Sequence, residues 1–336
     1  MKLDQRPTET ARVLSDKSTL LKLYREMLLI RRFEEKTAEM YQMAKIGGFC
    51  HLNIGEEATI VGTVSALRKE DYVYSNYREH GHAIAKGVDA KAIMAELFGK
   101  ETGTSHGRGG SMHLFDHDRR FFGGYAIVGE ALPLACGTGY AIRYQDKPEV
   151  VMSMFGDGAT NIGAFHESLN VAKLWKLPVV FVIINNQYGM GTAVSRASAV
   201  TELWKKALAY DMTGERVDGM DVLAVRQVTD RLVAQARDQH EPSLLECVTY
   251  RYRGHSMSDP DTYRGKQEVT EWKERDSILK FGEYLKRERL ASDRDLEAMD
   301  VEVMAEVDAA VKFADESPEP DPKDLFRDVY ADEAAS

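Results

Sequence analysis

Two short apolar runs constrain the fold of this chain more than any other feature. Val150 to Phe155 stops at Gly156-Asp157-Gly158, and the β-branched run Val179 to Ile184 stops at Asn185-Asn186. Between them Ile162, Phe165, Leu169 and Ala172 recur at helical spacing, and Pro178 closes the segment. Runs this short, bounded by Gly or Asn, read as buried parallel strands joined by a crossover helix. The unit is a right-handed βαβ, and both of its strands end on the sheet edge where α/β folds take their ligands.

That edge carries chemistry. Asp157 and Asn186 follow the two strand ends and face a common point. Gly156 and Gly158 let a ligand approach the backbone, and a helix expected to open at Ala159 offers unpaired N–H groups to an anion. A carboxylate, a carboxamide and main-chain carbonyls are hard oxygen donors, the set that suits Mg²⁺ or Ca²⁺. Mg²⁺ held by few protein ligands takes its other oxygens from phosphates and water, so the site asks for a metal-bridged diphosphate. Asp-Gly and Asn-Asn are also ordinary turn chemistry. An oxygen donor at each end of one βαβ unit favours the site.

The chain of 336 residues is long enough for one large α/β domain with extensions, or for two small domains. Its net charge of −10 comes from 44 basic and 54 acidic residues without a basic stripe, which argues against nucleic acid and anionic membranes as partners. No apolar run approaches the ~20 residues of a membrane helix. Met1 to Ser18 is polar and lacks the apolar core of a signal peptide. Cys50, Cys136 and Cys247 lack CxxC spacing and read as reduced, buried thiols, so a cytoplasmic location is expected.

Gly-Asp-Gly, 26 residues, then Asn-Asn resembles the thiamine-diphosphate fingerprint. The continuation Asn-Asn-Gln-Tyr-Gly-Met-Gly-Thr resembles the alpha subunits of the pyruvate dehydrogenase decarboxylating component, in the thiamine-diphosphate-dependent 2-oxo acid dehydrogenase family. Gly-Phe-Cys-His-Leu at 48–52, Tyr-Arg-x-His-Gly at 77–81, Ile-Val-Gly at 127–129 and the segment Tyr250 to Arg264, a mobile loop by its Gly, Ser, Asp and Pro content, carry the likeness further, from about Leu20 to Tyr330. The resemblance implies a thiamine-diphosphate-binding α/β fold, a mostly parallel sheet flanked by helices, with helical N- and C-terminal extensions. On this reading residues 1–18 form a loose arm, 19–290 the diphosphate-binding domain, and 291–336 a helical extension and tail.

The resemblance also distributes roles. It gives Mg²⁺ to Asp157, Asn186 and the Tyr188 carbonyl. It gives the diphosphate to Tyr77, Arg78, Gly156, Gly158, Ala159 and His255, and the aminopyrimidine to the backbone at Ala126 and Val128. His51 and Phe49 border the substrate, and His51, His80 and His255 are the candidate catalytic groups. Tyr125 and Ala126 depart from the family's Asn and Gly. The glutamate that activates the cofactor in this family has no motif here, which implies a beta subunit in an α₂β₂ tetramer. The implied reaction is oxidative decarboxylation of pyruvate, with acetyl transfer to a lipoyl domain of dihydrolipoyl acetyltransferase. Acetoin and branched-chain 2-oxo acid dehydrogenase alpha subunits are the neighbouring alternatives, and a scaffold without cofactor is a non-enzymatic one. A nicotinamide-dependent Rossmann enzyme fits poorly, since no G-x-G-x-x-G follows a strand.

Overall fold

The computed structural model describes residues 16–327 and 329. Helix α1 (Lys17–Gln42) opens at Asp16, whose carboxylate accepts the Thr19 N–H at 2.9 Å. The last residues of the expected arm 1–18 therefore belong to this helix and its cap. The earlier ones lie outside the described residues. Leu20, Leu23, Met27, Ile30 and Phe33 form its buried face. There follow α2 (Glu57–Val64), β1 (Tyr72–Asn76), α3 (His80–Lys86), α4 (Ala90–Leu97), β2 (Phe121–Tyr125) and α5 (Ala131–Tyr144). The central unit is β3 (Val151–Gly156), α6 (Gly163–Leu174) and β4 (Val179–Asn185). A small ribbon, β5 (Tyr188–Gly189) with β6 (Thr192–Ala193), leads into the single turn α7 (Val194–Ala197). Then come β7 (Thr213–Asp218), α8 (Val222–Gln239) and β8 (Ser243–Val248), with α9 (Lys266–Lys273), α10 (Ser277–Arg287) and α11 (Asp293–Glu316) after them.

Six strands make one sheet in the order β2-β1-β3-β4-β8-β7, with every neighbouring pair parallel. Helices cover both faces, so β3 and β4 are buried on both sides, which is why each reads as an unbroken apolar run. Alternate residues feed two cores. Val180, Val182 and Ile184 join Met152 and Met154 in the core under α1, α2 and α8. Val179, Phe181 and Ile183 join Val151 and Phe155 in the core shared with α5 and α6. Helix α11, held by a Ser292/Asp295 capping box, sends Val303, Val307, Ala310 and Ala314 into the first core. All three cysteines are buried free thiols, and among the described residues no helix is long and apolar enough to cross a membrane.

The local structure differs from expectation at four places. Residues 157–161 form a 3-10 turn, Ile162 is extended (φ −92°, ψ 158°), and α6 starts only at Gly163, not at Ala159. The segment Leu203–Tyr210 is 3-10 rather than α. Residues Ser243 to Tyr252 read in the sequence as one strand, yet the strand ends at Val248. Strand β2, with two glycines in five residues, was not anticipated. Its position matters, because β1 has β2 on one side and β3 on the other. The strand order reverses between β1 and β3, which makes their carboxyl ends the switch point where such sheets bind ligands.

Candidate active site

A cleft of about 240 Å³ opens at that switch point. Tyr77 and Arg78 enter it from the end of β1, and Gly156, Asp157, Gly158 and Ala159 from the end of β3. Asn186 and Tyr188 come from beyond β4, Val128 from beyond β2, and His255 from the segment after β8. The topology thus gathers ten of the residues singled out in the sequence. A Cβ added at Gly156 would meet no protein atom within 4 Å, so any side chain there would occupy the cleft itself.

Asp157 is 4% exposed, and burial lifts its pKa to about 7. Among the described residues no basic side chain stands within ion-pair distance of it. A divalent cation would therefore meet a buried carboxylate that no protein cation neutralises at contact. Asn186 donates from Nδ2 to Glu56 Oε1 at 2.7 Å, and its Oδ1 lies 3.4 Å from the Tyr188 N–H. The Tyr188 carbonyl accepts from Arg251 Nη1 at 3.1 Å. Among the described residues no trio of His, Cys, Asp or Glu side chains stands at metal spacing. A cation here would thus take one carboxylate plus amide and main-chain oxygens, a set that fits a small hard ion retaining water or phosphate oxygens.

Positive charge is supplied from beneath. Arg78, 4% exposed, donates to the carbonyls of Leu52 and His255, both at 2.8 Å. Arg251, 1% exposed, donates to the Tyr188 and Met190 carbonyls and to the Tyr263 hydroxyl. Two buried guanidiniums in one wall suit an anionic ligand such as a diphosphate. The segment Tyr250 to Arg264, expected to be mobile from its composition, is laced to itself. Arg264 donates to the Arg251 and Arg253 carbonyls, and Asp259 accepts from the His255 and Asp261 N–H groups.

The His51 ring lies 4.5 Å from the Tyr77 ring, tilted by 49°, and meets the His255 ring edge-on at 5.0 Å. Burial, assisted by Arg78, pushes His51 down to about 2 and His255 down to about 4. Both imidazoles are neutral at pH 7, and both Nδ1 atoms are buried without a partner. Phe49 is 62% exposed, its ring 6.5 Å from His51. Four expected residues do not line the cleft: Phe49 and His51, of which His51 touches the lining residues Tyr77 and His255, and, farther off, His80 and Ala126. His80 is wholly buried, with Nδ1 on Glu34 at 2.9 Å and Nε2 on Ser111 Oγ at 2.8 Å, and it does not line the cleft. Both ring nitrogens are taken by bonds within the fold. Ala126 does not reach the cleft either. The backbone after β2 enters only at Val128 and Gly129.

Arg251 and Glu56 belong to this neighbourhood, and sequence reasoning passed over both. Glu56 is one of two adjacent glutamates that suit a helix start electrostatically, and Arg251 sits in Tyr-Arg-Tyr-Arg, where nothing in the pattern says which arginine is enclosed.

A family model for the dehydrogenase E1 component matches residues 25–323. The chain is 48% identical over 310 residues to the pyruvate dehydrogenase E1 component subunit alpha of Rhizobium meliloti, covering 92% of this chain and 89% of that one. The protein of the same name from Porphyra purpurea is 46% identical over 323 residues, 94% of each chain. That from Rickettsia typhi is 42% identical over 314 residues, 94% of this chain and 96% of the other. With a parallel α/β sheet, a cleft at its switch point and a match over nearly its whole length, this chain belongs to the dehydrogenase E1 component family.

Proposed function

We propose that the chain is the alpha subunit of a pyruvate dehydrogenase, holding thiamine diphosphate through Mg²⁺ and working with a beta subunit in an α₂β₂ assembly. One observation carries this reading: Asp157, Asn186 and the Tyr188 carbonyl share a cleft wall with two buried arginines at the switch point. The dehydrogenase E1 family is thiamine-diphosphate-dependent in general, and the relatives' name, subunit alpha, points to a second kind of subunit. When bound, the cofactor supplies the electron sink for loss of CO₂ from a 2-oxo acid.

The chain's own residues hold and orient. Asp157, Asn186 and the Tyr188 carbonyl take the metal. Tyr77, Arg78, His255 and the N–H groups of Gly158 and Ala159 take the diphosphate, and Val128 closes the side of the cleft. Neutral His51, clamped between Tyr77 and His255, offers a hydrogen bond to the substrate carboxylate without adding charge, and Phe49 walls the entrance. The lipoyl disulfide of the acetyltransferase partner would accept both the acetyl group and the electron pair left by loss of CO₂, its S–S bond breaking to a thioester and a thiol.

The test uses the chain purified with its partner subunit. Asp157→Asn should weaken Mg²⁺-dependent thiamine diphosphate binding by about a hundredfold or more, measured by calorimetry. Among 2-oxo substrates, kcat/KM should favour pyruvate over acetoin and branched acids. Normal cofactor binding by the variant, or turnover of pyruvate by the chain alone with an artificial acceptor, would sink the proposal.

A further inference from the structure

Glu56 stands at the N-terminus of α2, yet its side chain makes no capping bond to that helix. It is 1% exposed and turns toward the cleft, where Oε1 accepts from Asn186 Nδ2 at 2.7 Å. Oε2 accepts from Asn53 Nδ2 at 3.0 Å. Asn53 is fixed in turn: its Oδ1 takes the Gly81 N–H at 2.9 Å, and its own N–H reaches Glu34 Oε1 at 2.8 Å. Arg78 Nε lies 3.9 Å away, beyond hydrogen-bond reach, so the directed partners of Glu56 are the two amides.

A carboxamide has two edges of opposite character, and which one faces a neighbour is decided by its partners. Both Glu56 oxygens accept from amide NH₂ groups, so Asn186 faces Glu56 with its nitrogen. Its oxygen is left on the opposite edge, toward the turn that carries Tyr188. Only that oxygen can bind a hard cation. We infer that Glu56 is a positioning residue for the cation site, holding Asn186 so that it presents oxygen rather than nitrogen. The inference rests on the metal-site reading above and adds a residue that touches neither metal nor cofactor.

The test takes the full chain with its partner subunit and reads Mn²⁺ affinity by electron paramagnetic resonance at saturating thiamine diphosphate. Glu56→Ala frees the Asn186 amide to rotate and should weaken Mn²⁺ binding by about 10- to 100-fold. Glu56→Gln keeps an acceptor oxygen for Asn186, while Asn53 retains the Arg78 carbonyl 3.2 Å away. That variant should stay within roughly threefold of the wild type. If Glu56→Ala fails to assemble, Glu56→Met, which fills the volume without accepting a hydrogen bond, takes its place with the same expected loss. Wild-type affinity in Glu56→Ala or Glu56→Met, with Asp157→Asn impaired, overturns the positioning role and leaves the metal site standing. An equal loss in the Gln and Ala variants also overturns it, since charge and not orientation would then be what the site draws from Glu56. Wild-type affinity in Asp157→Asn removes the metal site, and this inference with it.

Discussion

His82 is wholly enclosed, its Nδ1 2.9 Å from Ser75 Oγ and its Nε2 without a partner. Burial pushes its pKa from 6.5 down to about 3. The unfolded chain binds a proton at this ring near pH 6.5, and the folded chain does not until about pH 3. Below 6.5 the unfolded state therefore holds the extra proton, and stability falls as pH falls, by about 1.4 kcal/mol per pH unit for this group. Replacing His82 by Asn should flatten the profile between pH 6.5 and 4 by that slope, read as unfolding free energy in urea. Glu79, fully buried with Oε2 unpartnered and its pKa raised by burial, pulls the opposite way. The difference between variant and parent thus carries the prediction. At this scale the sequence named most of the cleft, because Gly-Asp-Gly and Asn-Asn each sit at a strand end. It left out Glu56 and Arg251, because a charge that is buried and paired looks the same in sequence as a solvated one.

The glycine-rich segment 103–113 resembles a phosphate loop until its amides are followed. Ser105, Gly107, Gly109 and Gly110 all point their N–H groups at the carboxylate of Glu96, at 2.7, 2.9, 2.7 and 3.1 Å. The nest of donors is filled by an internal anion, which makes the loop an architectural element anchored to α4. Glu96→Gln turns one oxygen into a donor facing donors. It should cost about 2 kcal/mol or more and speed amide hydrogen exchange across 105–110, while exchange in β3 and β4 stays unchanged. Elements differ in how far they can be read in advance. β3 and β4 were legible because burial on both faces demands continuous apolar residues. β2 was not, because Phe-Phe-Gly-Gly-Tyr combines edge-strand placement with glycines that usually mark turns. The late start of α6 escaped notice because a 3-10 turn and a first helical turn differ only in how the backbone closes, and Asp157-Gly158-Ala159 permits both.

Across the whole molecule the two edges of the sheet do different work. At the amino ends of the strands, Arg237 of α8 forks onto both oxygens of Asp71 at 2.9 and 2.7 Å, and Asp71 also accepts the Val150 N–H. This pair ties α8 to the residue before β1 and to the residue before β3, on the side away from the cleft. Arg237→Met should lower the unfolding free energy by about 3 kcal/mol or more and leave thiamine diphosphate affinity unchanged, a separation that calorimetry and urea titration check together. The strand order that creates the cleft also sets a timetable for its birth. Tyr72 pairs with Val151 and Val180 with Ser243, so neighbours in the sheet are distant along the chain. During synthesis the wall bearing Tyr77 and Arg78 leaves the ribosome many seconds before Arg251, at ~5–20 residues per second. The cleft is therefore complete only once Arg251 and His255 have emerged, well after its first wall.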